Sequence, residues 1–88
     1  MEPVELPIED TIDLHSFQPQ EVADLVTEYL HQALLKGFRE VRIIHGRGIG
    51  VQRRIVHSIL QKHPHVATVA EPPQNEGGAG ATVVELRV

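Results

Sequence analysis

The stretch Val41–Val56, "VRIIHGRGIGVQRRIV", decides how this chain folds. It opens on Val41, Ile43 and Ile44, β-branched residues that suit the pleated surface of a strand. It then runs through a loop containing His45, Gly46, Arg47, Gly48 and Gly50. It leaves as a basic amphipathic segment with Arg53 and Arg54 near its start. Strand, glycine loop and helix start is an arrangement that can cradle a phosphate. The glycines allow close approach of backbone to ligand, and the helix start offers free N–H groups and the positive end of its dipole. A loop built only to join two elements has a similar composition, so the rest of the chain has to decide.

Working outward, Thr11–His15 ("TIDLH") alternates polar and apolar residues, as a short half-buried strand does. Ile12 and Leu14 share one face, Asp13 and His15 the other. Pro19 stands where the first turn of a helix tolerates proline, and Glu21 and Asp24 follow as acids near the positive dipole end. Val22, Leu25, Val26, Tyr29, Leu30, Ala33 and Leu34 keep helical spacing up to Gly37, so a helix is predicted over Pro19–Lys36. Glu40–Ile44 is the second strand and His45–Gly50 the loop. Val51–Lys62 is the second helix, with Ile55, Val56, Ile59 and Leu60 inward and Pro64 ending it. Val66–Glu71 reads as the third strand, "PPQNEGGAGA" as a turn-rich mobile loop, and Thr82–Val88 as the fourth strand.

The order β-α-β-α-β-β predicts a two-layer α/β sandwich. Right-handed parallel crossovers place both helices on one face of a four-stranded mixed sheet. The last connection is long for a tight hairpin, so the fourth strand can enter between the second and third, giving the order 1-2-4-3. Residues 1–10, acidic with Pro3 and Pro7, are expected to form a flexible arm, and residues 11–88 the domain.

With 88 residues the chain suits a single domain with a modest core. It has no cysteine, hence neither disulfides nor thiolate metal sites, which fits a reducing compartment. No apolar run reaches the ~20 residues that span a membrane, and the acidic start does not resemble a secretory signal. A cytoplasmic location and no membrane partner are therefore expected. The net charge of −4 argues against nucleic acid, but its distribution argues for it. From Met1 to Glu28 there are eight carboxylates and no Lys or Arg; from Lys36 to Lys62 there are seven basic residues and one acid. Segregation of this size suggests a basic patch for a polyanion, although solvated helix faces of opposite sign would also produce it. The only aromatic residues are Phe17, Tyr29 and Phe38. That scarcity argues against an aromatic platform on which several bases stack.

If the first two strands are adjacent and parallel, "DLHS" and "HGRG" lie at one sheet edge, the C-terminal edge that ligands of open α/β sheets favour. Asp13, His15, His45 and the loop Gly46–Gly50 then converge. Alternation raises a difficulty. With Arg42 outward, His45 falls on the core side with Val41 and Ile43. It joins Asp13 and His15 only if the chain has already left the strand. No nucleotide-binding pattern is present: "HGRGIG" is not G-x-G-x-x-G, and there is no G-x-x-x-x-G-K-[ST].

"TIDLHSF", a helix, "VRIIHGRGIGVQRRIV" and "GGAGATVVEL", in this order, resemble the Smr (small MutS-related) domain family. The resemblance runs from about Thr11 to Val88. It implies a β-α-β-α-β-β fold similar to the C-terminal domain of a translation initiation factor. It also implies nucleic-acid binding, often with endonuclease activity on DNA or RNA. By position, the first family motif falls on Asp13, Leu14 and His15, the second on His45, Gly46, Arg47 and Gly48, and the late glycines on Gly77, Gly78 and Gly80. Ser16 stands where the family commonly has glycine; serine there could cap the first helix.

Asp13, His15 and His45 are thus the candidate catalytic residues, as base, orienting partner or proton donor. Their plainer roles are caps and loop hydrogen bonds. Gly46, Arg47, Gly48, Gly50, Arg53 and Arg54 are the candidate nucleic-acid contacts. His31, His57, His63 and His65 read as surface residues, with His57 able to extend the patch from Arg53. No zinc motif is present, and an acidic cluster for two-metal catalysis is missing. No cofactor is implied with certainty, which leaves room for a divalent metal such as Mg or Mn. Three classes of function stay open: a phosphodiester-cleaving endonuclease, a non-catalytic module for branched or distorted nucleic acid, and a protein-interaction domain. The basic segment and glycine loop speak against the third.

Overall fold

The computed structural model describes residues 8–46 and 50–87. Its elements are β1 (Thr11–Asp13), α1 (Pro19–Leu35), β2 (Glu40–Ile44), α2 (Val51–Lys62), β3 (Val66–Ala70) and β4 (Ala81–Leu86). The four strands form one mixed sheet in the order β1-β2-β4-β3. β1 and β2 run parallel, with Ile12 opposite Ile43 and Asp13 opposite Ile44. β4 lies antiparallel to both β2 and β3. The long connection after β3 allows this insertion. It is built from two short 3₁₀ turns, Gln74–Glu76 and Gly78–Gly80, rather than an open loop.

Both helices close over one core. Val22, Val26, Tyr29, Leu30 and Ala33 from α1 and Val56 and Leu60 from α2 pack with Leu14, Val41, Ile43, Val84 and Leu86. The spacing of these residues is the cause: each helix buries one stripe, and β2 and β4 bury alternate residues. α1 starts at Pro19 after Gln18, whose N–H donates to the Glu21 carboxylate at 3.0 Å. Gln18, not Ser16, therefore occupies the N-cap. Gly37 ends the helix in the left-handed region, with φ +81°. Of the expected N-terminal arm, residues 1–7 lie outside the described residues. The last part of that arm is held: Ile8 packs against the core, and the Glu9 carbonyl accepts the Tyr29 hydroxyl at 2.7 Å. Among the described residues, no helix is long and apolar enough to cross a membrane.

Candidate active site and nucleic-acid interface

The parallel pairing of β1 and β2 sets the end of one strand beside the end of the other. The ladder continues past β1, where the Leu14 N–H donates to the Ile44 carbonyl at 2.7 Å. The chain then turns at once, the Phe17 N–H donating to the Leu14 carbonyl at 3.0 Å. His15 and Ser16 form the tip of this turn. Among the described residues only glycines have positive φ. Ser16 therefore makes the turn without the backbone freedom that a glycine would supply.

Asp13 and His15 form a side-chain pair at that tip. The Asp13 carboxylate accepts the His15 backbone N–H at 3.0 Å and also the imidazole Nδ1–H. An ionised carboxylate only accepts, so the contact fixes the proton on Nδ1 and leaves Nε2 to a ligand. The side-chain hydrogen bond from His15, followed by the backbone one, holds the Asp13 carboxyl below its usual range. The pair is open to solvent, with the His15 side chain 64% exposed. The glycine loop begins against it: a Cβ added at Gly46, where φ is +85°, would lie 3.4 Å from the His15 Cβ. Asp13, His15 and Gly46 are thus brought together at the C-terminal sheet edge.

His45 is not brought to that surface. Its exposure is 4%, and both ring nitrogens are engaged inside the protein. Nδ1 lies 3.0 Å from the Gly46 carbonyl, and Nε2 lies 2.9 Å from the Thr82 hydroxyl. The same hydroxyl lies 3.0 Å from His57 Nε2. A carbonyl only accepts, so His45 Nδ1 carries the proton. With neutral His45, the Thr82 hydroxyl donates to its Nε2 and accepts the Nε2–H of His57. Burial lowers the pKa of both histidines, and the nearby Arg53 guanidinium acts in the same direction on both. The expectation that His45 stands with Asp13 and His15 is therefore corrected. Its side chain keeps the core-side direction of β2, as alternation requires.

The first two loop amides, those of His45 and Gly46, are also committed. The Gly80 carbonyl accepts the N–H groups of both His45 and Gly46, at 3.1 and 3.0 Å. This ties the "HGRG" loop to the late glycine segment, in which Gly78 and Gly80 are buried. Gly46 thus contributes close backbone approach to His15 rather than a free N–H. Arg47 and Gly48 lie outside the described residues.

The basic side of the site comes from the start of α2. Gly50 caps this helix in the left-handed region, with φ +83°. No acid stands in the first turn, so nothing there opposes the dipole's attraction for an anion. Gly50, Arg53, Arg54 and His57 line one shallow depression. Arg53 is paired with Glu71 at 3.5 Å. The Gln52 side chain reaches across and donates to the Phe17 carbonyl, joining α2 to the turn that carries His15. Among the described residues, no group of three or more His, Cys, Asp or Glu side chains could hold a metal ion.

Residues 12–87 match the sequence model of the Smr domain. The chain belongs to the Smr domain family. A curated relative, the endonuclease MutS2 of Halalkalibacterium halodurans, is 44% identical over 80 residues, which are 91% of this chain and 10% of that protein. The endonuclease MutS2 of Helicobacter pylori is 40% identical over 75 residues, 85% of this chain and again 10% of the relative. The chain thus spans about a tenth of the length of these proteins. Among solved structures, the Smr domain of Thermus thermophilus MutS2 superimposes with a TM-score of 0.85 at 33% identity, covering 89% of this chain and 98% of that one. YdaL, a stand-alone small MutS-related protein from Escherichia coli, gives 0.86 at 30% identity, covering 93% and 67%.

Two residues of this Smr domain, Thr82 and Gln52, had no role expected from the sequence, and His57, expected on the surface as an extension of the patch from Arg53, instead reaches Thr82. Thr82 carried a usable signal, being a polar residue in step with the buried Val84 and Leu86 of β4. A polar side chain at a core position needs a partner. The inward contact of His57 and the reach of Gln52 carried none, because their partners are 25 and 35 residues away in sequence.

Proposed function

We propose that this Smr domain binds nucleic acid and cleaves a phosphodiester bond with His15, oriented by Asp13, as its acid–base group. The observation that carries the reading is the Asp13–His15 pair, exposed at the C-terminal sheet edge beside Gly46. With Nδ1–H held by the carboxylate, a neutral His15 presents a basic Nε2. That nitrogen can take a proton from water or a sugar hydroxyl attacking phosphorus. Asp13 stabilises the imidazolium so formed, which can then return its proton to the leaving oxygen. Arg54 and Arg53, with the first turn of α2, supply positive charge for the phosphate. Arg47 and Gly48 keep the phosphate-binding role expected of them. His45, first grouped with the catalytic residues, fits better as a support that holds the loop through Thr82. A divalent metal on the phosphate would be compatible with the single carboxylate of Asp13, and no step above depends on one.

The test is cleavage of labelled single-stranded DNA, duplex DNA and RNA, with and without EDTA. His15→Ala should slow cleavage by about 10²–10⁴-fold, the usual contribution of an acid–base group, while affinity stays within a few-fold. Asp13→Ala should act in the same sense. Equal losses in binding and cleavage would make His15 a phosphate contact. A wild-type protein that binds every substrate and cleaves none would favour the second reading, a non-catalytic nucleic-acid module. That alternative draws on the solvent exposure of the pair, which no described element shields.

A further inference from the structure

Of the three aromatic rings, Tyr29 is buried in the core and Phe38 packs partly against it. Phe17 does neither and is 40% exposed. An exposed phenyl ring is unremarkable by itself. Its place is informative. Phe17 closes the same four-residue turn whose tip carries His15. Its carbonyl is fixed by Gln52 of α2, so the turn is held against the basic helix start. Val51, the neighbour of Gln52, is also among the exposed large apolar residues. Two exposed apolar residues thus belong to the two segments that Gln52 joins, the turn that carries His15 and the helix start that carries Arg53 and Arg54.

We infer that Phe17 is a single-base stacking contact, which directs this site to unpaired nucleotides in single-stranded or locally melted nucleic acid. The inference rests on the nucleic-acid reading of the same site. Within a duplex, base faces are already stacked on their neighbours, and only an unpaired or extruded base offers a face to an aromatic ring. The neighbouring arginines match the phosphate backbone of such a strand, and His15 lies two residues from the ring. One ring cannot form the multi-base platform that the aromatic count excludes; it can hold one base beside the bond to be cut. A hydrophobic protein segment would also cover Phe17, but the basic start of α2, to which Gln52 ties this turn, and the adjacent acid–base pair favour a polyanion.

The chain contains no tryptophan, so Phe17→Trp introduces one fluorophore at the point in question. Its emission should be quenched by a single-stranded oligonucleotide, with affinity equal to or above that of wild type. Phe17→Ala should lose roughly 5- to 150-fold on the single strand, the range for one base–aromatic stack, and much less on a duplex of the same sequence. Phe17→Leu, apolar but without a ring face, should lose most of the same affinity. Thermal unfolding would establish that each variant is folded. Single-strand affinity unchanged in Phe17→Ala, or Phe17→Leu equal to wild type, would overturn the stacking inference while leaving the nucleic-acid reading in place. No binding by wild type to single strand or duplex would overturn both.

Discussion

Thr82 has one hydroxyl proton and two imidazole nitrogens within hydrogen-bonding distance of it, at 2.9 and 3.0 Å. That proton can serve only one of them, so the other must bring its own. The network therefore excludes a state in which neither Nε2 carries a proton, a conclusion that follows from counting hydrogens rather than from charge. Thr82→Val keeps the shape and removes the shared atom. Buried imidazole nitrogens would then lack partners, at a cost of about 1–3 kcal/mol. For a domain of this size that lowers Tm by at least about 4 °C, measurable by calorimetry. Thr82→Ser should recover most of the loss, and a Thr82→Val protein as stable as wild type would remove the network's structural role. The residue scale is also where the sequence was hardest to interpret. Asp13 and His15 were legible as a pair because two residues of separation in a strand end put them on one side. For His45 two signals conflicted. Alternation from Val41 and Ile43 pointed it inward, while the family motif suggested grouping it with Asp13 and His15. The structure follows the alternation, since β2 ends only one residue before it.

At the scale of elements, α1 and α2 were legible nearly to the residue because proline, glycine and an apolar stripe mark their ends. What the sequence left hidden was how the two faces of α2 divide the work. His57 points a polar group into the protein toward Thr82, whereas Arg53 and Arg54 stay outside. Arg53 is engaged by Glu71, just beyond the end of β3, an ion pair linking residues 18 apart. A phosphate must compete with that carboxylate for Arg53. Glu71→Gln should therefore tighten nucleic-acid binding and steepen its salt dependence. Arg54→Ala should weaken binding, and each lost phosphate contact should reduce the slope of log K against log salt by about 0.7 for single strands or 0.9 for duplex. Titrations at several salt concentrations give both quantities. If Glu71→Gln bound no better and Arg54→Ala no worse, the interface would lie away from the start of α2.

Across the whole molecule, strand order was legible because one connection, from β3 to β4, was too long for a hairpin. Of the inward-facing histidines, His57 was not, since its burial depends on packing among segments far apart in sequence. Their burial sets how stability responds to pH. His45, His57 and His63 all have their pKa lowered below the ordinary 6.5, in each case chiefly by burial. Above pH 6.5 each is neutral whether the chain is folded or not, and none of them changes the balance. As pH falls below 6.5 the unfolded chain takes up protons that the folded chain resists, so acid favours unfolding. The loss deepens until pH passes the lowered folded values. Asp13 adds a separate loss in more acidic solution, since His15 holds its carboxyl below 3.8 and protonation breaks their contact. Urea unfolding followed by circular dichroism should thus show a midpoint nearly constant between pH 8 and 7, then falling between about pH 6.5 and 5. Replacing His57 with glutamine, whose amide N–H can still donate to Thr82, should shrink that fall by removing one titrating group and leave the neutral-pH midpoint close to wild type. A midpoint that rose on acidification would mean that these histidines gain charge more readily in the fold than in the unfolded chain, contrary to their burial.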